Sequence, residues 1–229
     1  MKFRKLKAEE IEVRVGTVSK NSYTLLLYKN ARADMNILDE CVGAENWQRD
    51  HKEIKGNLYC GVGINMNYLT TRQDYPTPAL EPYYVWKWDC GTESNTEKEK
   101  GEASDSFKRA CVNWGIGREL YTSPVIKVAS TNIEKDGRYF LPELEKFRKF
   151  VVQKITYQDD EIDTITIVDT AGVVVYTNEL MGGSYVFRSG KHAGKTIAEV
   201  DDGYLDWIMG NPTISENIKA NIRKYRGID

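Results

Sequence analysis

The chain carries only two histidines, His51 and His192, in 229 residues. That scarcity excludes most histidine-based metal chemistry, and no Ser/His/Asp or Cys/His arrangement for nucleophilic catalysis is evident. Four cysteines, Cys41, Cys60, Cys90 and Cys111, are widely spaced and form no CxxC pair, so a zinc site would need ligands gathered from distant strands. Reduced, mostly buried thiols are expected, with Cys111, beside two cations on a helix, the most accessible of them. No apolar run approaches the ~20 residues needed to span a bilayer. No signal-peptide pattern opens the chain, and a soluble, cytoplasmic protein without membrane contact is expected. A basic excess is missing too, since 32 Lys+Arg against 34 Asp+Glu leave a net charge of −2. Taken alone, that balance argues weakly against nucleic acid.

The layout of charge says more than its total. Residues 1–20 hold six Lys/Arg against three acids, whereas residues 155–187 hold six acids and no base. A basic surface can therefore coexist with an acidic sum. The pattern of elements reads α+β: an antiparallel sheet with packed helices, plus a small C-terminal module. Residues 1–178 form the first domain and 179–229 the module. Ala8–Val13 is a short helix or a helix-to-strand entry, Tyr23–Leu27 is a strand, and Ala33–Val42 is a helix stopped by Gly43. Lys55-Gly56-Asn57 turns a hairpin between Trp47–Ile54 and Leu58–Met66. Tyr83–Trp88 and Thr122–Val128 are extended, and Asp136-Gly137 is a turn. Pro142 opens a helix to about Gln153 with Leu141, Leu144, Phe147 and Val151 inward. Ile162–Val168 and Val173–Tyr176 close the domain as a hairpin. Trp86, Trp88 and Trp114 fit core positions, while Tyr68, Tyr75, Tyr83 and Tyr84 suit surface contact or a subunit seam.

The richest stretch is 101–118. Ala103, Phe107, Ala110 and Trp114 recur at helical spacing and form one narrow apolar stripe. Lys108 and Arg109 stand on the flanks of the opposite face, side by side. Thr96 to Glu99 fits a capping box, and Gly115 and Gly117 end the helix. An adjacent cation pair on a rigid helix suits gripping phosphates along a surface, although spacing alone equally fits a solvated helix face.

As a whole the segment resembles the signature of the Rad-fifty-two superfamily of single-strand annealing proteins, in the branch encoded by phages and prophages. The resemblance covers roughly residues 8–155. It runs through Ile11-Glu12-Val13-Arg14, a hairpin through Leu25–Tyr28, Asn36-Ile37-Leu38-Asp39-Glu40, the Gly43…Trp47 element, Gly91-Thr92-Glu93-Ser94 and the Ala103–Gly117 helix. It implies a β-β-β-α core, a ring homo-oligomer, and single-stranded DNA held in a groove and annealed to its complement without ATP. The activity is DNA recombination and repair rather than an enzyme's, with no cofactor. A single-strand-binding protein or an exonuclease of host or phage is the further partner implied, and the location is a bacterial host's cytoplasm. Carried residue by residue, the resemblance gives Arg14, Tyr28, Lys108 and Arg109 as DNA-binding. Val112 departs from it, since a further base is expected one helical turn after Lys108. Arg32 and Arg118 are the candidates to compensate.

A competing signal is Ser189–Thr196, which nearly matches a phosphate-binding loop. Its first glycine comes one residue late, with Ser189 in its place, and only about thirty residues follow. The run Phe187–Val200 with Tyr204-Leu205-Asp206-Trp207-Ile208 instead resembles a small module at the C-terminus of exonuclease-X-like proteins. Glu93, Glu97 and Glu99, or Asp159–Asp163, are the carboxylate groups that a Mg²⁺-dependent nuclease would need. A metal-dependent nuclease or NTPase of phage recombination is therefore the alternative, although no metal-site residue is assigned.

Overall fold

Alternation of period two sets the first hairpin. β1 (Ile11–Ser19) and β2 (Ser22–Lys29) pair antiparallel, with Glu12 opposite Tyr28 and Arg14 opposite Leu26. Tyr23, Leu25 and Lys29 turn inward and are buried, while Leu26 and Tyr28 face out. A computed structural model of the chain describes residues 1–67, 81–92, 98–142, 148–187 and 190–228. It divides into two compact units, Met1–Tyr176 and Thr177–Asp229.

In the first unit, α1 (Ala31–Val42) begins at Asn30, whose side-chain oxygen accepts the Ala33 amide at 2.8 Å. It ends at Gly43, where φ is +87°. β3 (Trp47–Ile54) and β4 (Asn57–Asn65) meet at the expected turn, with Lys55 and Gly56 both at positive φ, and β5 (Tyr84–Cys90) completes a β3-β4-β5 sheet. The inner face of that sheet, Cys60, Val62 and Ile64, is buried beneath α2 (Lys98–Trp114). Phe107, Ala110 and Cys111 are the helix's buried side, and the Trp114 indole donates to the Val62 carbonyl at 2.9 Å. Gly91 sits so close to α2 that a Cβ there would lie 2.2 Å from the Glu102 carbonyl oxygen.

A second sheet runs β11-β10-β9-β1-β2-β6. It comprises β6 (Ile126–Ala129), β9 (Phe150–Gln158), β10 (Glu161–Asp169) and β11 (Val174–Thr177) with the first hairpin. β7 (Ile133–Lys135) and β8 (Arg138–Phe140) form a separate hairpin across Asp136-Gly137. The fold is α+β with antiparallel sheets, as the sequence pattern implies.

Three expectations are corrected. The helix read from Pro142 to Gln153 gives way to β9 from Phe150, where Phe150 and Val152 are buried and Val151 is exposed. Val151, Val152, Ile155 and Thr156 are β-branched, and pairing with β1 and β10 satisfies their backbone, which outweighs the helical spacing. Trp86 and Trp88 lie on the outer face of their sheet, not in the core. Their rings stack 5.7 Å apart and cover Gly63 and Gly61, where a Cβ would come within 2.7 and 2.5 Å of them. Cys111, expected to be accessible, is fully buried, and burial holds its thiol well above the usual range; Cys41 and Cys90 are the half-buried ones. Leu144, Phe147, Tyr68, Tyr75 and Thr96 lie outside the described residues.

The second unit has its own core of Phe187, Ile197, Val200, Leu205, Ile208 and Ile222. α3 (Asp202–Gly210) and α4 (Glu216–Arg226) supply most of it. Asn221 on α4 is buried and accepts the Met181 and Gly182 amides, tying down the incoming chain.

One polar interaction crosses the first unit's interior. Lys29 at the end of β2 is buried, and its ammonium donates to Asp34 Oδ1 at 2.5 Å and to the Ile116 carbonyl at 2.8 Å. Asp34 is completely buried in the first turn of α1, and its Oδ2 has no hydrogen-bond partner among the described residues. Burial pushes the Asp34 carboxyl up to about 6, against the pull of Lys29 and Lys108. Above the ordinary 3.8, that value means a contribution to stability present in full below pH 3.8 and lost as the pH rises through about 6. Lys29 attracts the ionised carboxylate and not the protonated one. Lys29→Met should therefore cost on the order of 3 kcal/mol at about pH 7.5, and clearly less at about pH 5. Urea unfolding at the two pH values measures this, and an equal loss at both would contradict the account. Gly91→Ala should cost roughly 1–3 kcal/mol at either pH, because the obstacle is helix backbone.

Candidate nucleic-acid interface

An open groove of about 290 Å³ runs between β2 and α2. Leu27, Tyr28 and Lys29 line one side, Asp105, Lys108, Arg109 and Val112 the other, and Gly117, Leu120 and Tyr121 close an end. Leu27, Tyr28 and Leu120 also line an adjoining hollow with Leu26, Pro124 and Val125, so the depression continues along β2. The strand's period sends Tyr28 outward, and the apolar stripe of α2, turned onto β4, leaves Lys108 and Arg109 at the groove.

Four of the six candidate residues converge here. Tyr28, Lys108 and Arg109 line the groove itself. Arg14, one strand over on the same outward face, holds its guanidinium 5.2 Å from the Tyr28 ring centroid and bonds Glu12 at 2.8 Å. Arg32 is exposed on the first turn of α1 and lines no part of the groove. Arg118 instead donates to the Val112 and Asn113 carbonyls at 3.0 and 3.3 Å, covering the C-terminal end of α2. It lines a different hollow, with Lys2, Lys5 and Asp160.

Each cation has a distinct electrostatic setting. Arg109 is 46% exposed and pairs with Asp89 at 3.2 Å, which raises its already high pKa. Lys108 forms no ion pair among the described residues, and its charge acts on the buried Asp34. Asp105 is occupied by the Thr92 amide and hydroxyl at 3.0 and 3.1 Å. Val112, where a base is expected by resemblance, makes that part of the wall apolar. Sequence reasoning missed Lys29, Asp89 and Tyr121. A lysine at the inward period of β2 after Leu25 and Leu27 was the signal for the first, while Asp89 reaches Arg109 only through tertiary packing.

The alternative chemistry finds little geometry. Among the described residues no group of three His, Cys, Asp or Glu could hold a metal ion. Asp160 binds Lys2 and Lys5, Asp163 accepts from Thr156, and Glu93 and Glu97 lie outside the described residues. In the loop near Gly194, the amides of Ala193, Gly194 and Lys195 are bonded to Gly190, Phe187 and His192 carbonyls, so they do not converge on a phosphate. Ser189 lies outside the described residues. No helix among the described residues is long and apolar enough to cross a membrane.

Residues 3–139 match the family described as Rad52/22 family double-strand break repair protein. That span covers more than half of the 229 residues and contains the whole groove and all six candidates. No curated protein and no solved structure matches the chain. With the groove and its basic helix inside the matched span, the chain belongs to the Rad52/22 family of double-strand break repair proteins.

Proposed function

We propose that the first unit binds single-stranded DNA along the groove between β2 and α2 and anneals it to a complementary strand, without ATP and as a ring of identical copies. The observation that carries this is the convergence of Arg14, Tyr28, Lys108 and Arg109, distant in sequence, on one open depression. Two complementary strands repel through their phosphates and fold on themselves. A groove that neutralises one backbone and holds it extended lowers both barriers, and base pairing supplies the drive. Lys108 meets phosphate without first leaving an acid, whereas Arg109 and Arg14 exchange Asp89 and Glu12 for it. Tyr28 offers an exposed ring to a base or sugar.

Assembly has support in the three-stranded sheet. β3 and β5 are its outer strands, and β3 is exposed along nearly its whole length. Such edges are templates for pairing with another copy, and a ring multiplies a modest groove by its number of subunits. In this reading residues 1–178 anneal and oligomerise, and residues 179–229, likened to the exonuclease-X-type module, are an accessory. The site of action is phage-type recombination in a bacterial cytoplasm, beside a single-strand-binding protein or an exonuclease.

Lys108→Ala with Arg109→Ala tests it. Alanine keeps the helix, so ring size by light scattering should not change. Oligonucleotide affinity should fall at least tenfold per lost charge-assisted contact, and annealing of complementary strands should nearly stop. The slope of log affinity against log salt, roughly −0.7 per phosphate, should shrink by about 1.4. Arg14→Ala should deepen the defect. Asp89→Asn, which removes the competitor for Arg109, should tighten binding. A double variant annealing at the wild-type rate, or strand cleavage or ATP hydrolysis by the pure protein, would overturn the reading.

A further inference from the structure

The second unit carries a row of rings that starts on its core, where Tyr204 packs edge-on to Phe187 at 6.1 Å, and runs out beyond it to Trp207. Tyr204 and Trp207 are three residues apart on α3 and so share a face. They stack at 5.5 Å and 22° between planes, and the His192 ring lies 4.4 Å from that of Tyr204. Leu205 and Ile208 are buried on the side of the helix that adjoins Tyr204, and the row ends away from them in Trp207, which is 54% exposed. His192 sits on a loop held by short antiparallel arms that bridge at Val186 and Thr196. Gly190 and Gly194, both at positive φ, shape that loop and bring His192 onto Tyr204.

Charge around the row is uneven. The acids of α3 are engaged: Asp201 accepts the Tyr204 amide, while Asp202 and Asp206 bind Arg226 at 3.1 and 2.7 Å. Glu199 caps the Thr196 amide and hydroxyl at 2.7 and 2.9 Å, within electrostatic reach of Lys195. Lys191 and Lys195, flanking His192, are exposed and form no ion pair among the described residues. The uncommitted groups are thus a flat indole face and two ammonium groups. Flat ring faces accept any unpaired base, and lysines accept the phosphates between bases, which is the recurring chemistry of a single strand. A duplex hides its base faces in its own stack.

We propose that Trp207, backed by Tyr204, forms with Lys191 and Lys195 a second single-stranded nucleic-acid site that stacks one base on the exposed indole face. It shares a ligand class with the groove but no residue, so it stands or falls separately.

The experiment uses the full chain and a fluorescent oligothymidine, followed by anisotropy, in the wild type and in Lys108→Ala/Arg109→Ala. Trp207→Ala should weaken binding about tenfold in both backgrounds, the loss expected from one base–aromatic stack, and Trp207→Phe should recover most of it. An abasic strand of equal length should show no Trp207 dependence. Lys191→Ala with Lys195→Ala should lower the salt slope by about 1.4, a second readout should circular dichroism show Trp207→Ala misfolded. Affinity unmoved by Trp207→Ala in both backgrounds, or reduced equally on the abasic strand, would overturn the site. So would a smaller assembly with unchanged binding, which would make Trp207 a contact between copies. If Lys108→Ala/Arg109→Ala binds like wild type while Trp207→Ala does not, the groove assignment fails and this site stands.

Discussion

The buried pair of Lys29 and Asp34 is the constraint on which the groove depends. It joins the end of β2 to the start of α1, and through the Ile116 carbonyl it also holds the chain just beyond α2. The pair thereby ties one wall of the groove, β2, to the segment that follows the other wall, α2, and closes the groove's end. A buried ion pair is a weak source of net stability, because desolvation offsets the attraction. Its value is that neither partner can leave alone, so the relative placement of β2, α1 and α2 is fixed. Gly117, at φ +71°, lets the Lys29 stem pass, since a Cβ there would come within 2.6 Å of its Cδ.

The same pair is electrostatically coupled to the groove. Asp34 is buried beside Lys29, and both Lys29 and Lys108 act electrostatically on its carboxyl. Arg109 and Arg14 are likewise shared with Asp89 and Glu12. Under the proposed function Arg109 and Arg14 would exchange these acids for phosphate, an arrangement suited to strands that must be held and then released into a duplex.

Local chemistry made much of the fold legible. Gly56 and Asp136-Gly137 take the positive φ values that their residue types favour, Lys55 is carried into the same region by the hairpin turn, and Gly43 ends α1 as its composition suggests. The signature helix was readable because Phe107, Ala110 and Trp114 carry its period. Where reading failed, a long-range term decided. β9 is a strand because β1 and β10 offer it hydrogen-bonding partners. Trp86 and Trp88 alternate like core residues, yet the vacant space above Gly61 and Gly63 draws them to the outer face. The four candidate residues that lie together at the groove were named through resemblance, which carries spatial information that periodicity does not. Lys29 and Asp34 were not singled out, because a lysine in a strand and an aspartate in a first helical turn each look ordinary until their burial is known.

The exposed edge of β3 carries a pattern that bears on the proposed self-association. Arg49, Asp50, His51, Lys52 and Glu53 place charges of both signs along it. A bare apolar edge of this length would pair with any strand it met, whereas charges restrict pairing to a complementary register. Lys52 is further committed, lying 4.4 Å from the Trp88 ring centroid while pairing with Asp50 at 3.7 Å. The outer face of the sheet is thereby tied to its own edge. A partner strand aligned on β3 would meet a preset pattern of charge beside a stiff aromatic ladder, and that combination favours one register of self-association over indiscriminate stacking.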